Sequence, residues 1–422
     1  MDAAQEEIPQ RLVDTSKTGC VDGRTQERHS RTSTATAVVS KVFEDDNLLI
    51  EILLRVGFPT TLVRDALVCN RWYHHASDRG FIKSFRKRHP PRLLGFYISE
   101  QGSVRSAPCF VPMQPQPLEL AAVVRRVSEY SFRPYDHTLS IMDCRNGSVC
   151  TRCCKGREVA LELHRPLCPE GGMSIIPPLP STQDPMQKIL GAILSKEEEG
   201  GLSHLYVLAE WTMGVGNFKM SLYVLQDDAW CLRTMATDQI LQPLSAPKAV
   251  IVGDRIYMAA AFSDDIVVFD FIASSLSRIP LPQEVKYHPF STTLSQADDA
   301  SAVYLTHVNE YQLRIWCHKG DNWLLAHTIC LHQMCANLRM LDHTLEDEHI
   351  GFPYLCHVGD NAEFVFLKMC GCTLYLDVSS KTLHKVHETA EKDRHFSAIY
   401  PFMMTWPPLF PALKDDPARN VM

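Results

Sequence analysis

Two patterns of apolar spacing divide the chain. Between residues 41 and 90, large apolar side chains recur at helical intervals. They run Leu48, Leu49, Ile52, Leu53 and Val56, then Leu62, Ala66, Cys69, Tyr73 and Ala76, then Phe81, Ile82 and Phe85. Asp45 and Asp46 offer acceptors to the free N–H groups of a first helical turn. Gly57 and Pro59 end that helix, Asp78 caps a third, and Pro90-Pro91 closes the unit. The spacing predicts three short helices. So thin a core cannot cover all of its own apolar residues, and some are expected to meet another domain or a partner.

From residue 92 the period changes. Short runs such as Leu139-Ser140-Ile141-Met142, His204-Leu205-Tyr206-Val207-Leu208, Ile266-Val267-Val268-Phe269 and Glu363-Phe364-Val365-Phe366-Leu367 are broken by Gly, Asp, Asn and Ser. Their length and β-branched and aromatic content predict strands. No long helical pattern separates them, which argues against parallel βαβ units. The phrase Val252-Gly253-Asp254 leads through two strands to Phe269-Asp270-Phe271, and Val358-Gly359-Asp360 leads likewise to Leu376-Asp377-Val378. A second pair, Tyr206-Val207-Leu208 to Asp228-Ala229-Trp230 and Val303-Tyr304-Leu305 to Asp321-Asn322-Trp323, interleaves with the first. Related phrases lie roughly a hundred residues apart, about two propeller blades of ~40–50 residues each. Sheets repeated around an axis also protect strand edges. The fold class is therefore α+β multidomain: a small three-helix unit, then an all-β domain over residues 92–410. The expected form of that domain is a β-propeller, with a β-sandwich pair as the alternative.

Composition narrows the function. The chain has 422 residues, 45% of them apolar and 22% charged, so most of it is expected to fold. Residues 1–40 are polar and read as a disordered tail, and residues 411–422 as a C-terminal tail. The net charge of −7 argues against a general nucleic-acid binder. No apolar run is long enough for a membrane span, and the acidic start is not a secretory signal. The 15 cysteines are then expected to be reduced, in cytoplasm or nucleus.

Residues 42–96 resemble the F-box found in a large group of plant proteins. The resemblance is carried by Asp45-Asp46-Asn47-Leu48-Leu49-Ile50-Glu51-Ile52-Leu53-Leu54-Arg55-Val56, by Leu67-Val68-Cys69-Asn70-Arg71-Trp72 and by Phe81-Ile82-Lys83-Ser84-Phe85. Pro91-Arg92-Leu93-Leu94-Gly95-Phe96 and Met142-Asp143-Cys144-Arg145-Asn146-Gly147 are similar to segments of that group's F-box-associated β-propeller. The resemblance implies the non-catalytic substrate receptor of a Skp–cullin–F-box ubiquitin ligase. The F-box would bind a Skp-type adaptor, and through it a cullin, while the β domain holds an unknown protein target. Leu48, Leu49, Ile52, Leu53, Pro59, Leu67, Val68, Cys69 and Trp72 match the motif. Among them, Leu49, Ile52, Leu53, Pro59, Leu67, Val68 and Trp72 are the expected adaptor contacts. The group usually carries Leu-Pro before the first helix, where this chain has Phe43-Glu44 and so lacks a rigid lead-in turn. The alternatives are an F-box interaction protein that delivers nothing for degradation, and a ligand-binding propeller.

Other clusters have plainer readings. Cys144, Cys150, Cys153, Cys154, His164 and Cys168 include a CxxC, but a zinc site needs a second pair at defined spacing, so no metal and no cofactor is expected. Lys83, Arg86, Lys87, Arg88, His89 and Arg92 read as the solvated face of the third helix. No nucleophile elbow, P-loop or dinucleotide fingerprint occurs. Asp254 and Asp360 follow Gly at turns, where bonding to backbone accounts for them. An enzyme is not expected.

Overall fold

A computed structural model describes residues 45–100, 108–132, 138–155, 158–180, 187–198, 201–212, 217–239, 249–259, 264–283, 285–297, 301–320, 322–340, 351–388, 397–406 and 410. The expected tails and Phe43-Glu44 lie outside these residues. The chain divides into two compact units. One takes the residues up to Pro90 together with the C-terminal segment that contains Phe410, and the other runs from Pro91 to Trp406.

The first unit has four helices among the described residues: α1 (Asp46–Leu54), α2 (Pro59–Ala66), α3 (Asn70–Ser77) and α4 (Arg79–Arg88). Asp45 caps α1 by accepting from the N–H groups of Asn47 at 2.9 Å and Leu48 at 3.2 Å. Asp78 caps α4 through Phe81 N–H at 2.9 Å. The second apolar stripe, expected as one helix, is two. Leu67 ends α2, and Cys69 is fully extended (φ −161°, ψ 165°) before α3 begins. Leu49, Leu53, Leu62, Ala66, Tyr73, Phe81 and Phe85 form the buried interior. Phe410 meets the ring of Tyr73 edge-on at 5.8 Å, so this residue, expected with the strands, belongs to the helical unit. Three basic residues, Arg86, Lys87 and Arg88, fill the last turn of α4, where they complement the helix dipole.

The second unit is a six-bladed propeller, which excludes the sandwich alternative. Five sheets have four strands in chain order: β3 (Thr138–Arg145), β4 (Ser148–Lys155), β5 (Glu158–His164) and β6 (Ser174–Ile176); β7 (Gln187–Glu198), β8 (Gly201–Thr212), β9 (Asn217–Gln226) and β10 (Ala229–Gln239); β11 (Ala249–Val252), β12 (Arg255–Ala259), β13 (Asp265–Asp270) and β14 (Ser275–Pro280); β15 (Thr292–Gln296), β16 (Val303–Asn309), β17 (Gln312–Lys319) and β18 (Asn322–Cys330); β19 (Tyr354–Val358), β20 (Phe364–Met369), β21 (Cys372–Asp377) and β22 (Thr382–Glu388). The sixth is built from both ends of the unit. The last strand, β23 (Ser397–Met403), pairs with the first, β1 (Leu93–Glu100), and β1 pairs with β2 (Cys109–Pro112). The helix α5 (Ala121–Glu129) packs on β2, and a short α6 (His332–Asn337) follows β18. Each innermost strand touches the next, from β3 through β7, β11, β15 and β19 to β23, and β23 touches β3.

The two pairs of repeated phrases fall on equivalent strands. Val252-Gly253-Asp254 and Val358-Gly359-Asp360 each follow the innermost strand of a sheet, and Val207 and Tyr304 each lie on a second strand. The apolar core lies between successive sheets. Leu222, Phe269 and Ile256 fill the space between the second and third sheets. Leu305, Val268 and Trp316 fill the next gap, and Ile315, Leu367 and Leu374 the one after. The seam between the sixth and first sheets is aromatic. Tyr97 contacts Phe110, Phe132 and Phe402 at 5.2–5.6 Å, and Phe132 stands 5.0 Å from the ring of His164. Beyond β23, the Trp406 N–H donates to Asn146 Oδ1 in the β3–β4 turn.

Candidate functional site

Two regions carry the candidate residues. In the helical unit, strict helical geometry separates neighbours by about 100°, so Leu48 and Leu49 cannot share one face. Leu49 and Leu53 are fully buried and Pro59 is buried, so these three shape the unit from inside. Ile52 and Trp72 are half-buried. Among the described residues of this unit, the large apolar side chains open to solvent are Leu48 (46% exposed), Leu67 (55%) and Val68 (66%). Leu48 was not among the expected contacts, and the 100° step is what sets its exposed position apart from buried Leu49. Leu67 and Val68 stand in the break between α2 and α3. The Asp46 carboxylate accepts from Arg71 Nε at 2.8 Å and lies 3.0 Å from His75 Nε2, joining the start of α1 to α3. These hydrogen bonds hold its pKa below the usual aspartate value.

The second region is the axis of the propeller, where a cavity of about 350 Å3 is lined by all six innermost strands. Two of these strands carry an irregular residue at the cavity, Met142 in β3 and Cys356 in β19. Such bulges bend a strand and re-aim its side chains. From β3, Asp143 accepts from Ser195 Oγ of β7 at 2.6 Å, and its other oxygen accepts from the Cys144 N–H at 2.9 Å. Ser195 Oγ is also 3.3 Å from His204 Nδ1. Burial lowers the pKa of His204, which keeps it neutral near pH 7. With the Ser195 hydroxyl proton directed to Asp143, the contact from His204 is made by a tautomer in which Nδ1–H donates to Ser195 Oγ, and the chain of donors ends on the carboxylate. A nucleophilic serine needs the opposite order, with its proton accepted by the imidazole.

At the ends of the inner strands, Arg145 Nη2 lies 3.3 Å from Asp360 Oδ1, and Gln296 Nε2 donates to Asp360 Oδ2 at 3.2 Å. Asp360, expected to bond its own turn, instead ties the first, fourth and fifth sheets together. Thr293 and Ser295 of β15 line the cavity, and their buried hydroxyls have no partner among the described residues. Tyr400 of β23 completes the wall. Its phenol is pushed up to about 12 by burial, with the charges of Cys144 and Asp143 adding to the shift.

The cysteine cluster is taken apart by the strands. Cys150 and Cys153 are an odd number of residues apart on the regular strand β4, so the alternation turns them to opposite faces. His164 is held by Tyr130 Oη at 2.9 Å and Thr151 Oγ1 at 3.1 Å. Among the described residues, no group of three or more His, Cys, Asp or Glu is placed to hold a metal. No described helix is long and apolar enough to cross a membrane.

No curated protein matches the chain. Solved structures match at low similarity. One is a protein from Lactobacillus plantarum, at 12% identity over 63% of this chain and 85% of the other, with a TM-score of 0.32. Another is prolyl oligopeptidase B from Galerina marginata, at 9% identity over 59% of this chain and 33% of the other, with a TM-score of 0.32. A functionally unknown protein from Desulfotomaculum acetoxidans matches at 9% identity over 73% of this chain and 99% of the other, with a TM-score of 0.36. Likeness at this level carries no argument about activity. The family described as F-box protein AT5G49610-like, β-propeller, matches residues 140–410, a span that starts in β3 and runs through ring closure at β23. The chain belongs to the F-box protein AT5G49610-like β-propeller family.

Proposed function

We propose that the protein is the substrate receptor of a Skp–cullin–F-box ubiquitin ligase, in which the helical unit is an F-box that docks a Skp-type adaptor and the propeller holds a protein target. Membership of an F-box protein family, joined to a helical unit ahead of the propeller, carries this reading. Leu48, Leu67 and Val68 offer the adaptor exposed apolar side chains, and Ile52 and Trp72 are half-buried. Leu49, Leu53 and Pro59 set the positions of the helices from inside. The receptor itself performs no chemistry. It raises the effective concentration of a target lysine beside the activated ubiquitin. Such a protein acts in the cytoplasm or nucleus.

Co-expression with a Skp-type adaptor tests the reading. The expected result is a 1:1 complex on size exclusion, with adaptor retention falling about tenfold or more in Leu67→Asp/Val68→Asp, a loss of the size seen at interface hot spots. Two separate peaks for the wild-type pair at micromolar concentration would overturn it.

A further inference from the structure

The axial cavity contains a carboxylate arranged to receive a positive charge. Asp143 is held by two donors, Ser195 Oγ–H and the Cys144 N–H, which fix its orientation. No cation of the protein pairs with it among the described residues. Arg145, two residues on, is engaged by Asp360, whose second oxygen is taken by Gln296. His204 is neutral and already donates into the chain that ends on Asp143. A carboxylate can only accept, so whatever completes it must donate, and away from bulk water a cationic donor gains most. The rest of the wall is mixed: Met142, Val250, Ile251 and Ile399 offer an alkyl stem apolar contacts, and Thr293 and Ser295 add hydroxyls. A volume of about 350 Å3 is near the lower end of the range for small-ligand sites, roughly 300–1,000 Å3. The bulges at Met142 and Cys356 fall on the strands that carry Asp143 and His357 into this space.

We propose that the axial cavity binds an organic cation, an ammonium or guanidinium group on an alkyl stem, with Asp143 as its counter-charge. The group comes either from a free amine or from a lysine or arginine side chain of a bound protein. The site is independent of adaptor docking, so the two readings fail separately.

Isothermal titration calorimetry on the full-length protein tests it. The free probes are n-butylammonium and n-butylguanidinium chloride, the embedded probe is acetyl-Gly-Lys-Gly-amide, and sodium butyrate is the anion control. One equivalent of each free cation is expected to bind and butyrate is not. Asp143→Asn is expected to weaken cation binding by tenfold or more. Ala398→Leu narrows the cavity from β23 without touching the carboxylate, and it is expected to give a similar loss if Asp143→Asn fails to fold. Binding of the peptide as well as the free probes assigns the cation to a protein side chain, and binding of the free probes alone assigns it to a small amine. Failure of both free cations to bind, equal binding of butyrate, or wild-type binding by folded Asp143→Asn or Ala398→Leu overturns the proposal.

Discussion

At Gly147 the backbone is left-handed (φ +71°), and a Cβ there would meet Thr405 Oγ1 and Leu167 Cδ1. Both the conformation and the space call for glycine. Gly147→Ala is expected to cost about 1–3 kcal/mol, read as a lower denaturation midpoint at unchanged m-value. Tyr97 presents the reverse case. Its hydroxyl is buried in the aromatic seam with no partner among the described residues, and burial raises its pKa. Tyr97→Phe keeps the ring contacts and removes the orphaned group, so it is expected to stabilise by about 1 kcal/mol. A melting temperature lower than wild type would show that the hydroxyl is satisfied. Histidines set the pH response. Burial is the first cause of the lowered pKa of His204, His307 and His387. The unfolded chain, with histidine near 6.5, therefore takes up protons before the folded one. Their contribution is complete above about pH 6.5 and is lost as pH falls toward the folded values. Melting temperature is expected to decline from pH 7 to 5, and less steeply in His204→Gln. Local chemistry of this kind was partly legible in the sequence. Asp45 and Asp78 were recognisable as caps because capping acts within three residues. Asp143 carries no local signal of its role, since its partners Ser195 and His204 come from a different sheet.

At the level of elements, alternation and repetition made the strands readable. The Val-Gly-Asp phrases mark the turn after an innermost strand because each sheet reuses one topology. The helix break at Leu67–Cys69 was hidden, because an apolar stripe continues through it while the backbone does not. That break is what turns Leu67 and Val68 outward. The bulges at Met142 and Cys356 were hidden too, since one extra residue leaves no mark in composition. The CxxC spacing misleads in the other direction. It suits a turn, and on a strand it sends the two thiols apart. Burial pushes the Cys150 thiol up to about 12, so it is expected to resist alkylation at pH 8 in the native protein, as read by mass spectrometry. Exposed Cys168 and Cys231 are expected to react first.

For the whole molecule, the number of sheets could not be read from the sequence because the sixth is assembled from strands about three hundred residues apart. That closure makes a prediction specific to this architecture. β23 is the innermost strand of its sheet. It pairs with β1 from Leu93↔Met403 to Glu100↔Ser397, touches both β19 and β3, and leads into the Trp406–Asn146 bond. Removing residues 397–422 therefore exposes the inner edges of two neighbouring sheets and the ring of Phe96, which is fully buried against Phe366 at 4.9 Å. The rest of the ring cannot close over the gap without breaking its own pairing. Among the described residues no strand precedes Leu93, so removing residues 1–90 cuts no described strand pair. The shorter chain from Pro91 is thus expected to unfold in one cooperative thermal transition by circular dichroism and to run as a monomer. The chain ending at residue 396 is expected to aggregate or melt without a transition. If that chain instead unfolds as sharply as the full protein, the β1–β23 pairing does not hold the ring together, and its stability resides in the five four-stranded sheets.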